Sequence, residues 1–161
     1  MSYSAFTQFK CVASGSLADV FPQAIAGATV FDLETGRVVD VDPRFPPQDD
    51  TPKPGRPKLG VTAREVTLLP RHWDWLATQP GGASVALRKL VEDAMRHPNA
   101  RKRQLQDAAY RFATALVGDA PGYEDAMRAL YAANREDFAF YIDAWPNDVR
   151  RVLTEITADV W

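Results

Sequence analysis

Soft metal ligands are scarce in this sequence of 161 residues, which holds one cysteine and two histidines. Cys11 has no second thiol with which to form an internal disulfide, and with His72 and His97 alone it cannot complete a Cys/His zinc cluster. No metal or other cofactor is therefore expected. Long hydrophobic runs are missing too. None approaches the roughly 18 to 20 apolar residues of a membrane helix, and Met1 to Phe6 lacks the charged-then-apolar layout of a secretory signal. The expectation is a cytoplasmic protein without a membrane partner. Also absent are a phosphate-binding Gly loop and any Ser/His/Asp or Cys/His arrangement in a recognisable setting. His72, flanked by tryptophans, reads as a surface or interface residue, so the sequence predicts no enzyme.

What is present is a composition suited to folding, 46% hydrophobic and 25% charged, and a charge pattern that the net value of −2 conceals. Residues 1–52 carry 3 Lys/Arg against 7 Asp/Glu, residues 53–104 carry 11 against 4, and residues 105–161 carry 5 against 10. A block of +7 thus sits between flanks of −4 and −5. That is how a polyanion-binding surface would look on an otherwise acidic chain, although a solvated basic helix has the same signature.

Six of the twelve prolines fall between Pro43 and Pro57, which excludes helix there and makes a linker over 46–58. Before it, a small α+β unit is predicted over residues 1–45. Tyr3 to Ser14 alternates as a strand, Ser16 caps a short helix, and Thr29–Asp32 with Arg37–Val41 makes a hairpin turning at Glu34–Gly36. From residue 99 to 161 the pattern is helical. Arg101–Val117 places Leu105, Ala108, Ala109, Phe112, Ala115 and Leu116 on one face, and helices over Tyr123–Ala133, Glu136–Trp145 and Asp148–Val160 follow. The aromatics at helical spacing there read as core. The fold class is α+β, with a central β-α-α segment over 59–97 between the two ends.

In that central segment β-branched residues alternate at Val61, Thr62, Val66 and Thr67, and the period turns helical at Pro70, a residue suited to a helix's first turn. Helix A spans about Arg71–Gln79 with Trp73 and Leu76 inward. Pro80–Gly82 turns the chain. Ser84 caps helix B, whose buried stripe is Leu87, Leu90, Val91 and Ala94. The lone strand has no nearby mate, so its backbone groups call for another. The same strand of a second chain, paired antiparallel about a two-fold axis, supplies one and gathers four helices into a shared core. A generic β-α-α piece of one larger domain is the alternative.

The order strand, Pro, helix, Gly turn, second helix resembles the ribbon-helix-helix family of DNA-binding repressors over about residues 60–97. The likeness rests on Val66-Thr-Leu68 and on Gly82-Ala-Ser84-Val-Ala-Leu-Arg88. It implies a homodimer whose ribbon enters the major groove of double-stranded DNA, with Glu65 and Thr67 toward the bases and the Gly82–Ser84 backbone on a phosphate. Val66, Leu68, Trp73, Leu76, Leu87, Leu90 and Val91 would form the dimer core. The opposite register would present Arg64 to DNA but turn Val66 and Leu68 to water. Upstream, Lys53-Pro-Gly-Arg56-Pro-Lys58 resembles an AT-hook core, an extended arm whose Arg56 and Lys58 suit the minor groove; as plain sequence it is also a solvated linker. Arg88 and Lys89 could add phosphate contacts. The whole chain is also similar to an uncharacterised bacterial family with the wording Gly55-Arg-Pro-Lys58 and Leu68-Leu-Pro-Arg-His-Trp73.

Together these features predict a dimeric DNA-binding transcriptional regulator. The alternative is an antitoxin-like adaptor that dimerises through the same segment and engages a protein partner through its acidic C-terminal helices.

Overall fold

Tyr3 to Gly15 folds back on itself. In the computed structural model, which describes residues 2–47, 60 and 62–161, this stretch is a hairpin, β1 (Tyr3–Thr7) and β2 (Lys10–Gly15). The single strand predicted over Tyr3–Ser14 is corrected accordingly. The turn is made by Gln8 in the left-handed region, φ 54°, a conformation no alternation pattern reports. Helix α1 (Leu17–Ile25) begins at Ser16 as predicted, with a capping box: the Asp19 N–H donates to Ser16 Oγ at 3.3 Å, and the Ser16 N–H donates to Asp19 Oδ2 at 2.8 Å. The second hairpin is β3 (Thr29–Asp32) and β4 (Val38–Val39). The four strands form one antiparallel sheet in the order β2-β1-β3-β4.

Seven helices are present among the described residues, the remaining six being α2 (Pro70–Ala77), α3 (Gly82–Arg96), α4 (Pro98–Val117), α5 (Tyr123–Ala132), α6 (Arg135–Ile142) and α7 (Asn147–Ile156). The fold is α+β, with the sheet first and helices after. The chain divides into two units, one built from residues 1–49 and 101–161 and the other from residues 50–100.

The sequence separates residues 1–45 from the helices after 99, but in the first unit they share a core. Period-two alternation explains why the sheet serves two sides. Ala5 and Val30 point one way, where Val20, Leu17 and Ala24 of α1 cover them. Phe6, Phe31 and Leu33 point the other way, into the cluster of Leu105, Ala109, Phe112, Leu130, Val152 and Leu153. Phe6, Phe31 and Phe112 meet edge to face, with centroids 5.0 to 6.0 Å apart. Strand and helix contribute to one aromatic trio that neither segment can form alone.

Polar ties fix the layers. Gln106, buried on α4, donates to the Leu130 carbonyl at 2.8 Å, satisfying a group near the end of α5. Gly36, at φ 67°, brings the β3–β4 turn onto the α4 backbone, where an added Cβ would lie 1.9 Å from the Ala108 oxygen. On α4 the buried face is shifted from the predicted one. Gln106, Ala113 and Val117 are inside, Leu116 is half-buried and Ala115 is exposed. The sheet and α5 cover a sector centred near Ala109, and Ala115 lies at its edge.

Candidate dimer face and nucleic-acid interface

The second unit is two helices and the segment that leads into them. Pro70 is the first residue of α2, as its missing N–H suits, after Leu69 in an extended conformation. Helix α2 ends at Ala77, two residues short of the predicted Gln79, and Thr78 folds its hydroxyl back onto the Trp75 carbonyl at 2.7 Å. Helix α3 is capped by Gly81 at φ 84°, not by Ser84, which lies within its first turn. The Pro80-Gly-Gly turn uses left-handed backbone at both Gly81 and Gly82, φ 84° and 76°, and the helix has started by Gly82, ahead of Ser84. The Gly82 N–H donates to the Gln79 carbonyl at 3.0 Å, so that donor is already used within the turn.

Among the described residues of this unit, Leu76 and Ala86 are buried. Around them Leu68, His72, Trp75, Leu76, Leu87 and Leu90 line an open groove of about 260 Å³. Every lining side chain except His72 is hydrocarbon or indole. Of the fourteen large hydrophobic side chains exposed among the described residues, seven are here: Val66, Leu69, Trp73, Trp75, Leu90, Val91 and Met95, the last 71% exposed. The predicted core set is therefore only partly covered within one chain. Leu76 is buried, Leu68 and Leu87 are half-buried, and Val66, Trp73, Leu90 and Val91 face solvent, as does Ala94 of the predicted stripe. Trp73 flanks the contact and does not point inward, because His72, Trp75 and Leu76, at i, i+3 and i+4, occupy the face of α2 toward the groove.

Residues 62–69 are neither helix nor strand in the single chain, and none is hydrogen-bonded into a sheet. The predicted strand is thus not formed within one chain. Arg64, Glu65 and Thr67 are exposed while Leu68 lines the groove. On α3, Arg88 and Lys89 are exposed, and the Arg88 guanidinium donates to the Ser84 carbonyl at 3.2 Å. Arg56 and Lys58 of the predicted arm lie outside the described residues. Trp75 is the groove residue that the sequence failed to single out, although its spacing from His72 and Leu76 carried the signal.

The first unit offers less chemistry. One cleft of about 440 Å³ is walled by Phe9, Thr114, Trp145 and their neighbours, with Asp119 as the one ionisable group among the described lining residues. Beside α5, burial and then the hydrogen bond to Asp107 at 3.0 Å raise the Tyr131 phenol to about 12, while Arg103 covers its ring at 4.7 Å. Among the described residues no three His, Cys, Asp or Glu side chains could jointly hold a metal ion. No described helix is long and apolar enough to cross a membrane.

A family model described as uncharacterised proteins conserved in bacteria, DUF2239, matches residues 2–157. The chain belongs to the DUF2239 family. Among curated proteins and among solved structures nothing matches it. The DUF2239 match runs through both units and its description carries no activity.

Proposed function

We propose that this DUF2239 protein is a dimeric DNA-binding regulator that associates through residues 62–96. One observation carries the proposal: residues 62–69, which are neither helix nor strand, run into a two-helix unit whose apolar groove and flanking Val66, Trp73, Leu90 and Val91 are open to water. An apolar face of this extent on so small a unit calls for a cover. A second copy supplies both an identical apolar face and an identical segment free to pair as a strand. In the single chain Leu68 lines the groove while Glu65, Val66 and Thr67 are exposed, so an antiparallel ribbon would cover Val66 and Leu68 and leave Glu65 and Thr67 outside. The resemblance over residues 60–97 and the excess of basic residues between 53 and 104 direct that ribbon to a DNA major groove, with Arg88 and Lys89 toward phosphates and Arg56 and Lys58 as an arm.

The test combines sedimentation of the full chain with anisotropy of a labelled duplex across a salt series. A dimer is expected, with log K falling by about 0.9 per phosphate neutralised. A chain that stays monomeric at every concentration overturns the proposal. Exposed Glu65, which phosphates would repel, favours a second reading, an adaptor that dimerises through this face and engages protein. A dimer that retains no DNA at low salt would select it.

A further inference from the structure

Helices α6 and α7 leave a trough between them that none of the described residues fills. One stretch, about 260 Å³, is lined by Arg135, Phe138, Ala139, Ile142, Thr154 and Trp161 among others. The next, about 320 Å³, is lined by Ala139, Ile142, Thr154, Asn147, Arg150 and Arg151. The shared residues Ala139, Ile142 and Thr154 make the two continuous. Its floor is the buried Phe138, Ile142 and Thr157, its width comes from the small side chains of Ala139 and Ala158, and Trp161 stands against Phe138 at 5.4 Å.

The charged side chains among its described lining residues are all arginines, with the Asp143 carboxylate paired to Arg150 just outside. Residues 105–161 carry twice as many acidic as basic residues, 10 against 5, yet three of the five arginines line the trough and no carboxylate does. Arg150 is held in place, donating to the Asp143 carbonyl at 2.8 Å, to the Asp143 carboxylate and to Asn147 Oδ1 at 2.8 Å. Arg135 and Arg151 are exposed and make no ion pair or side-chain hydrogen bond among the described residues. Arg135 at the start of α6 lines one stretch and Arg150 and Arg151 of α7 line the other, so cations flank an apolar floor and make a template with anionic points and a hydrophobic middle.

We infer that this trough docks an acidic amphipathic segment of another protein, with carboxylates paired to Arg135 and Arg151 and small apolar side chains on Ala139 and Ile142. A nucleic acid fits less well, because phosphates offer nothing to an apolar floor and the surrounding acidic surface repels a polyanion. A second copy of the chain would have to bring an acidic face of the same pattern. The inference is independent of the dimer proposed for residues 62–96.

The experiment is anisotropy with the full chain and four labelled probes: a peptide with glutamates at i and i+7 flanking alanine and leucine, its lysine counterpart, a glutamate-only peptide of equal charge, and a short DNA single strand. The first should bind, and the lysine peptide should not. Arg135→Glu and Arg151→Glu should each weaken it about fivefold or more, given that exposed ion pairs are individually modest and reversal adds repulsion. Ala139→Trp, which fills the trough from an exposed position, should abolish binding with an unchanged melting curve. Equal binding of the glutamate-only peptide or the DNA would overturn the inference, as would indifference to all three substitutions. Sedimentation of Ala139→Trp closes the remaining route, since a loss of self-association there would assign the trough to a second copy.

Discussion

The carboxylate of Asp148 accepts the backbone N–H of Cys11 at 2.9 Å, across 137 positions of sequence. Asp148 lies in the first turn of α7, where a negative charge is favoured, and Cys11 lies on the edge strand β2. One side chain therefore anchors the edge of the sheet to the last helix. Asp148→Ala should lower stability by about 1–3 kcal/mol, since it leaves a half-buried N–H without its acceptor. Urea unfolding measures it; a loss indistinguishable from zero would mean that water replaces the carboxylate at no cost.

Gly36 and Gly27 make a controlled pair, both at positive φ, 67° and 93°. An added Cβ at Gly27 meets nothing within 4 Å, whereas at Gly36 it runs into the Ala108 carbonyl. Gly27→Ala should cost about 1 kcal/mol, the backbone term alone. Gly36→Ala should cost several times that, on the order of 3 kcal/mol or more, because the turn must lift from α4. Thermal melts of the two variants compare them directly.

Leu68 and Arg56 separate assembly from DNA binding in the proposed dimer. Leu68→Asp places a charge in the apolar groove and should leave a folded monomer without DNA affinity. Arg56→Ala should keep the dimer while weakening duplex binding and lowering the salt slope by about one phosphate, roughly 0.9 in log K against log salt. A dimer that survives Leu68→Asp removes residues 62–69 from the interface.

Tyr131 predicts an alkaline signature. Burial, followed by the Asp107 carboxylate, raises its phenol from 10.0 to about 12, so the native state holds that proton more tightly than the unfolded chain does. The resulting stability is complete below pH 10 and is lost as pH rises through about 12. Tyr123 moves the same way, through burial. Tyr131→Phe should flatten the fall in stability over that window and remove the highest step from a tyrosinate absorbance titration. An unchanged titration would show that Asp107 and burial do not act on this phenol.

Local signals in the sequence specified local structure. The Ser16 cap, the Pro70 helix start and the hairpin at Glu34–Gly36 are properties of a few neighbouring residues and formed where predicted, while the C-terminal helices formed with shifted ends: α4 starts at Pro98 and not Arg101, α6 ends at Ile142 and not Trp145, and α7 ends at Ile156 and not Val160. Gly81 displaced Ser84 as the cap because a left-handed turn residue outranks a side-chain acceptor placed three positions later. The Gln8 turn escaped notice because a non-glycine residue at positive φ leaves no mark in alternation.

Composition and spacing alone determined the fold class, the basic centre and the apolar stripes of α2 and α3. Tertiary structure decided which stripes find cover. Phe6 and Phe31 bury themselves against Phe112 from the far side of the basic segment in sequence, whereas Leu90 and Val91 stay about half exposed among the described residues of their own unit. The physical reason is that a hydrophobic face encodes its need for burial but not its partner, and the partner is fixed only when the chain's long-range contacts form.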